Sequence, residues 1–134
     1  MATFPTADWL EALMEKLNGD QQYAQVASKW EGDMLFKIEA GKGLEQNMFF
    51  YIDLWHGKCR GVKVLENENE KKASFVLSGS YDNYKRLLNG DIDPMQALLT
   101  RKLGVKGNMA VMMRSVPIVL DFVRCCKEVT DDFI

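Results

Sequence analysis

Residues 73–109 read ASFVLSGSYDNYKRLLNGDIDPMQALLTRKLGVKGNM. The first seven alternate, with Ala73, Phe75 and Leu77 on one side, the period of a half-buried strand. At Ser80 the period changes. SYDNYKRLLNG opens on a residue that caps helices and closes on Gly90. DPMQ at 93–96 starts another helix, with Asp93 as N-cap, Pro94 in the first helical position and Gln96 in the third. Leu98, Leu99 and Leu103 supply its apolar side. GVKG (104–107) suits a short edge strand. Gly107 permits a left-handed or close backbone where that strand turns, and Asn108 caps the helical turn that follows. Four of the eight methionines, Met95, Met109, Met112 and Met113, lie in or just past this stretch. Methionine fills irregular gaps and serves surfaces that meet varied apolar partners.

Beyond Met109 the chain runs AVMMRSVPIVLDFVRCCKEV. Its last helix starts near Ser115–Pro117 and buries Ile118, Val119, Phe122, Cys126 and Val129. Toward the N-terminus, ENENEKK (66–72) reads as a solvated loop. CRGVKVL (59–65), MFFYIDLW (48–55) and DMLFKIEA (33–40) read as strands, with a tight HGK turn at 56–58. Residues 48–55 are bulky on both faces: Met48, Phe50, Ile52 and Leu54 on one, Phe49, Tyr51 and Trp55 with Asp53 on the other. That is more than one helical layer requires. Two helices come first. Residues 6–17 carry Trp9, Leu10, Leu13, Met14 and Leu17 behind Thr6. A second, capped by Asp20, carries Tyr23, Val26, Ala27 and Trp30 and is stopped by Gly32. Short connections imply antiparallel pairing. The expected fold is α+β, one domain over residues 1–134, with a single antiparallel sheet of about five strands and helices packed on one face.

The 134 residues are 47% hydrophobic and 27% charged, an ordinary globular composition. A chain of this size buries roughly 65–70% of its unfolded surface and needs no staple. A net charge of -2 gives no footprint for nucleic acid and no polybasic anchor. Three cysteines, two of them adjacent, do not form a disulfide framework and point to a reducing, cytoplasmic setting. The N-terminal MATFPTADWLEAL lacks the features of a signal peptide. The apolar window at 109–123 is broken by Arg114 and Asp121 and is too short to span a bilayer. The closing DDFI is neither a prenylation box nor a peroxisomal tail.

Catalytic and cofactor signals are thin. His56 and Cys59 could meet across a hairpin as a nucleophile and its base, but no third group orients the imidazole, and a turn residue beside a small strand residue is the plainer reading. Cys125 and Cys126 diverge by about 100° on a helix, poor geometry for zinc. GKG at 41–43 lacks the third glycine of a dinucleotide fingerprint and leads into a strand. Asp91 and Asp93 are followed by Pro94, with Gln96 and Lys102 where a calcium loop needs glycine and glutamate. No catalytic residue, metal or cofactor is expected.

The stretch from Ala73 to Met109 resembles the second half of the sterol carrier protein 2 (SCP-2) lipid-binding domain. The matching features are the apolar strand Phe75–Leu77, the helix end Leu87–Gly90, Asp93–Pro94, and Ala97 through Met109, of which KLGVKGNM is the specific part. Elsewhere the likeness is in element order. Without the peroxisomal tail of animal members, and with a longer final helix, the chain looks more like the stand-alone bacterial or archaeal members. The resemblance implies an apolar tunnel between the sheet and the C-terminal helices. It would bind and move fatty acids, acyl-CoA, phospholipids or sterol-like lipids without a reaction. The side chains expected against the ligand are Phe36, Phe50, Ile52, Leu54, Phe75, Leu77, Leu98, Leu99, Leu103, Val105, Met109, Met112, Met113, Ile118, Val119 and Phe122, with Lys102, Lys106 or Arg114 meeting a head group at the mouth. The expected partner is a lipid or fatty acyl ligand, with transient membrane contact and a homodimer both compatible with such a role. The rival reading is an accessory module that presents a lipid or quinone-type intermediate to a partner enzyme.

Overall fold

The computed structural model describes residues 2–134. After a short strand β1 (Ala2–Phe4) come helices α1 (Ala7–Gly19) and α2 (Gln21–Val26), strands β2 (Met34–Glu39), β3 (Met48–Trp55), β4 (Lys58–Leu65) and β5 (Phe75–Ser80), helices α3 (Tyr81–Leu88) and α4 (Pro94–Leu99), strand β6 (Gly104–Lys106), helices α5 (Met109–Arg114) and α6 (Val116–Val129), and strand β7 (Thr130–Phe133). Five helices start where their capping side chains sit. Thr6, Asp20, Ser80, Asp93 and Asn108 each accept a hydrogen bond from a backbone N–H two or three residues on. His56 and Gly57 both take positive φ, 50° and 78°, and make the two-residue turn between β3 and β4.

The main sheet has the order β4-β3-β2-β5-β6. It is mixed, which corrects the all-antiparallel expectation: β2 and β5 run parallel, in register from Met34 with Phe75 to Glu39 with Ser80. The cause is residues 66–74. Instead of turning back beside β4, the chain crosses the sheet diagonally and adds β5 on the far side of β2. The crossing covers three strand spacings, ~14 Å, well within the reach of nine residues. Asp33 receives the incoming strand: its carboxylate accepts from the Ser74 N–H at 2.7 Å and the Tyr51 hydroxyl at 2.6 Å, and its carbonyl accepts from the Phe75 N–H at 3.2 Å.

The same crossing explains the two bulky faces of β3. All helices pack on the face carrying Met34, Phe36, Phe50, Ile52 and Phe75, in one core with Trp9, Leu13, Tyr23, Tyr84 and Phe122. The other face holds a small cluster of Leu35, Phe49 and Leu65, with Tyr51, Ala73 and Val76 beside it and no helical residue in it. Lys37 pairs with Glu68 at 3.3 Å and Lys71 lies over the Tyr51 ring. The surplus bulk on β3 therefore belongs under the crossing segment and is no sign of a hollow interior.

Two further differences concern the ends of elements. Helix α2 stops at Val26, not at Gly32. Ala27 caps it, and Trp30 turns into the core to donate its indole N–H to the Gly32 carbonyl at 2.9 Å. Strands β1 and β7, which no periodicity announces, pair in parallel and join the two ends of the chain. Phe4 lies wholly buried there, edge-on to Trp9 at 4.8 Å and stacked on Tyr84 at 5.8 Å.

Candidate functional site

Between the sheet and the last four helices the core does not close. A void of about 50 Å³ is lined by Met34 and Phe36 of β2, Phe75 and Leu77 of β5, Val105 of β6, Tyr84, Leu87 and Leu88 of α3, Leu98 of α4, Met112 of α5, and Val119, Phe122, Val123 and Cys126 of α6, with Phe4 and Trp9 completing the wall. A second void of about 20 Å³ lies among Tyr23, Trp30, Leu54 and Ile118. Met34, Val119 and Phe122 line both. They form a partition between the two spaces.

No polar surface faces the larger void. The Tyr84 hydroxyl at its wall donates to the Leu77 carbonyl at 2.7 Å, and the Trp9 indole N–H donates to Thr130 Oγ1 at 2.8 Å. Among the described residues, no buried side-chain N or O is left without a partner. Burial holds the Tyr84 phenol and the Cys126 thiol well above their ordinary pKa values, so both walls stay neutral. The interior offers shape and dispersion contact, and no group that would grip a head or a hydroxyl.

The roof is built lightly. Helix α4 buries only Ala97 and α5 only Met112, whereas α1 buries Trp9, Leu10, Leu13 and Leu17. What holds the roof in place is backbone geometry. Gly107 has φ near 139°, and a Cβ there would come within 2.6 Å of the Ser74 carbonyl oxygen. Its missing side chain lets the β6–α5 turn lie directly on β5.

The candidate nucleophile and ligand groups named from the sequence are engaged elsewhere among the described residues. His56 is exposed with Nε2 2.7 Å from the Glu31 carboxylate. Cys59 is buried, its thiol pushed up to about 11 by that burial and directed at the Gly61 carbonyl. The two do not form a pair. Asp20, Asp121 and Cys125 come close enough to share an ion, but the Arg124 guanidinium already bonds both carboxylates, at 2.7 Å to Asp20 and 2.9 Å to Asp121. No helix among the described residues is long and apolar enough to cross a membrane.

The profile of the SCP-2 sterol transfer family matches residues 10–119. This chain belongs to that family. A crystal structure of sterol carrier protein 2 superposes with a TM-score of 0.85 at 30% identity, covering 93% of this chain and 98% of that one. The solution structure of a possible sterol carrier protein from Thermus thermophilus gives 0.84 at 29% identity, over 94% and 89%. Among curated proteins, hydroxysteroid dehydrogenase-like protein 2 of Mus musculus is 31% identical over 65 residues, 48% of this chain. The matched part is 13% of that protein's length.

Within this SCP-2 domain the sixteen side chains singled out from the sequence fall into three groups. Phe36, Phe75, Leu77, Leu98, Val105, Met112, Val119 and Phe122 line the larger void, and Leu54 and Ile118 the smaller. Phe50, Ile52 and Leu103 are solid core away from both. Leu99, Met109 and Met113 point outward, 75%, 44% and 53% exposed. A helical turn that supplies Leu98 or Met112 to the inside carries its sequence neighbour to the outside. Sequence reasoning misses the wall residues of α3, and Phe4, Trp9, Tyr23, Trp30, Met34, Val76, Val123 and Cys126. The amphipathic pattern of α3 is the available signal for the first group. Phe4 lies in a strand too short to show a period, and Val123 and Cys126 lie on a buried helix face where wall and core positions look alike.

Proposed function

We propose that this domain binds one alkyl-tailed lipid (a fatty acid, its CoA ester, a phospholipid or a sterol-like molecule) in the joined apolar voids, and carries it without a chemical step. The observation that carries this reading is a cavity with no polar lining under a weakly anchored roof, in a chain of the SCP-2 family. The voids as they stand are too small for a long tail, since a cavity of about 150 Å³ is what takes up benzene. Loading therefore lifts α4 and α5 and turns the Met34–Phe122 partition aside. Each CH₂ transferred from water contributes ~0.8 kcal/mol, about 12 kcal/mol for a sixteen-carbon chain. Lost freedom removes roughly 4 kcal/mol or more, which leaves affinity near the micromolar range. Selection among tails of similar length is weak, because one buried methylene at ~0.8 kcal/mol changes binding only about 4-fold. The three cysteines, free and buried, suit a reducing cytoplasm.

The test is native mass spectrometry of delipidated protein titrated with palmitate. A single 1:1 adduct is expected, together with a rise in melting temperature. A Val119→Phe variant, which adds bulk at the partition, is expected to take up little or no palmitate while keeping a native-like circular dichroism spectrum, at a cost of about 1–3 kcal/mol in stability. A wild-type chain that carries no amphiphile from the cell and acquires none would end the proposal. The reading of an accessory module has one observation in its favour: Trp55 stays partly exposed at the hairpin end of β3, with Arg60 stacked on it at 4.8 Å.

A further inference from the structure

Residues 94–120 run from α4 through β6 and α5 into α6. They contain Arg101, Lys102, Lys106 and Arg114 and no aspartate or glutamate. The whole chain has 17 cationic and 19 acidic residues, so everything outside this segment holds 13 against 19. A protein of net charge -2 thus concentrates +4 in one fifth of its length and is -6 elsewhere. All four cations are exposed, and none takes part in an ion pair among the described residues. The same segment exposes Leu99, Met109, Met113 and Leu120, half of the large apolar side chains that the structure leaves in water among the described residues. Met109 and Met113 stand one helical turn apart on a single face of α5. Leu98, Val105 and Met112, their inward neighbours, line the void.

We propose that this roof is a docking face for an anionic lipid bilayer. Its purpose rests on the lipid-carrier reading, because a roof that touches the membrane lets a tail pass from bilayer to cavity without crossing water. Aliphatic side chains among unpaired cations match the boundary between acidic head groups and hydrocarbon. The segment has no aromatic residue on which nucleic-acid bases would stack. A two-fold contact between copies through this face would set eight like charges against one another.

The experiment is co-sedimentation of the full, delipidated chain with vesicles of phosphatidylcholine containing about 30% phosphatidylserine, and with pure phosphatidylcholine. No ligand is involved, so the result is independent of palmitate uptake. Binding is expected to the anionic vesicles only, and to fall as salt rises. A Lys102→Gln/Lys106→Gln variant is expected to lose roughly 30-fold in partitioning. Leu99→Ser/Met113→Ser is expected to lose binding with an unchanged melting temperature. Lys29→Gln/Lys63→Gln, which removes as much charge from exposed sites outside the segment, is expected to bind like wild type. The proposal is overturned if both vesicle types bind equally, if neither binds, or if the Lys29/Lys63 control loses as much as the roof variant. It is overturned too if sedimentation velocity shows a dimer that Leu99→Ser/Met113→Ser dissolves, which would assign the face to a second copy.

Discussion

At the scale of single residues, one position sensitive to change has no side chain. Gly107 combines φ near 139° with a backbone that rests on Ser74 and the Phe75 ring. Gly107→Ala is expected to lower stability by about 2–4 kcal/mol in urea denaturation. Gly61→Ala, where an added Cβ meets open space, is expected to stay within about 0.5 kcal/mol. Equal effects at both sites would mean that the close approach at Gly107 does not hold the roof. Caps and turns of this kind are legible in the sequence. Serine, aspartate and asparagine at helix starts, and His-Gly at a hairpin, act through neighbours two or three residues away, so sequence distance and spatial distance coincide. Asn18 shows the other case. Its side-chain amide bonds both the N–H and the carbonyl of Cys59, at 2.8 and 2.9 Å, across 41 residues. Nothing around Asn18 in the sequence announces that bond in advance.

At the scale of elements, the helices divide into anchored and loose. Helices α1, α2 and α6 are tied by a charged network in which Arg124 bonds Asp20, Asp121 and Glu128, and Lys16 bonds Asp20 and Glu128. Hydrogen bonds from Arg124 and then from the Tyr23 N–H hold the Asp20 carboxyl below the usual range, and Lys16 and Arg124 lower Glu128 likewise. A depressed carboxylate pKa stabilises the fold above the unfolded value near pH ~4, and that contribution is lost as pH falls further. The melting temperature is therefore expected to drop steeply below about pH 4. Asp20→Asn should flatten that slope; an unchanged slope would remove the network from the account of acid stability. Helix α5 lacks such ties. Its amides at 109–114 are expected to exchange with solvent far faster than those of α1, and to slow when palmitate is bound. Uniform exchange across both helices would contradict a movable roof. Helix existence can be read from apolar spacing, but which face of α4 and α5 lies inward cannot. Both faces are apolar, so in the sequence Leu99, Met109 and Met113 look as interior as Leu98 and Met112.

At the scale of the whole molecule, strand composition announces the strands of the main sheet but not their order. A nine-residue polar connection suits a return beside β4 as well as a passage across the sheet. Only the partners waiting at the far side, Asp33 and the open edge of β2, decide between them. The hollow in the core is equally hidden, since residues that fill space and residues that border a void are the same types; the likeness to a known family is what points to it. The parallel pairing of β1 with β7 carries a mechanical consequence. A force applied between residues 2 and 134 pulls the two strands past each other lengthwise, so their hydrogen bonds must rupture together instead of opening in succession like a zipper. In a single-molecule stretching experiment the terminal pair would then act as a clasp, bearing the load before the helices behind it begin to unravel.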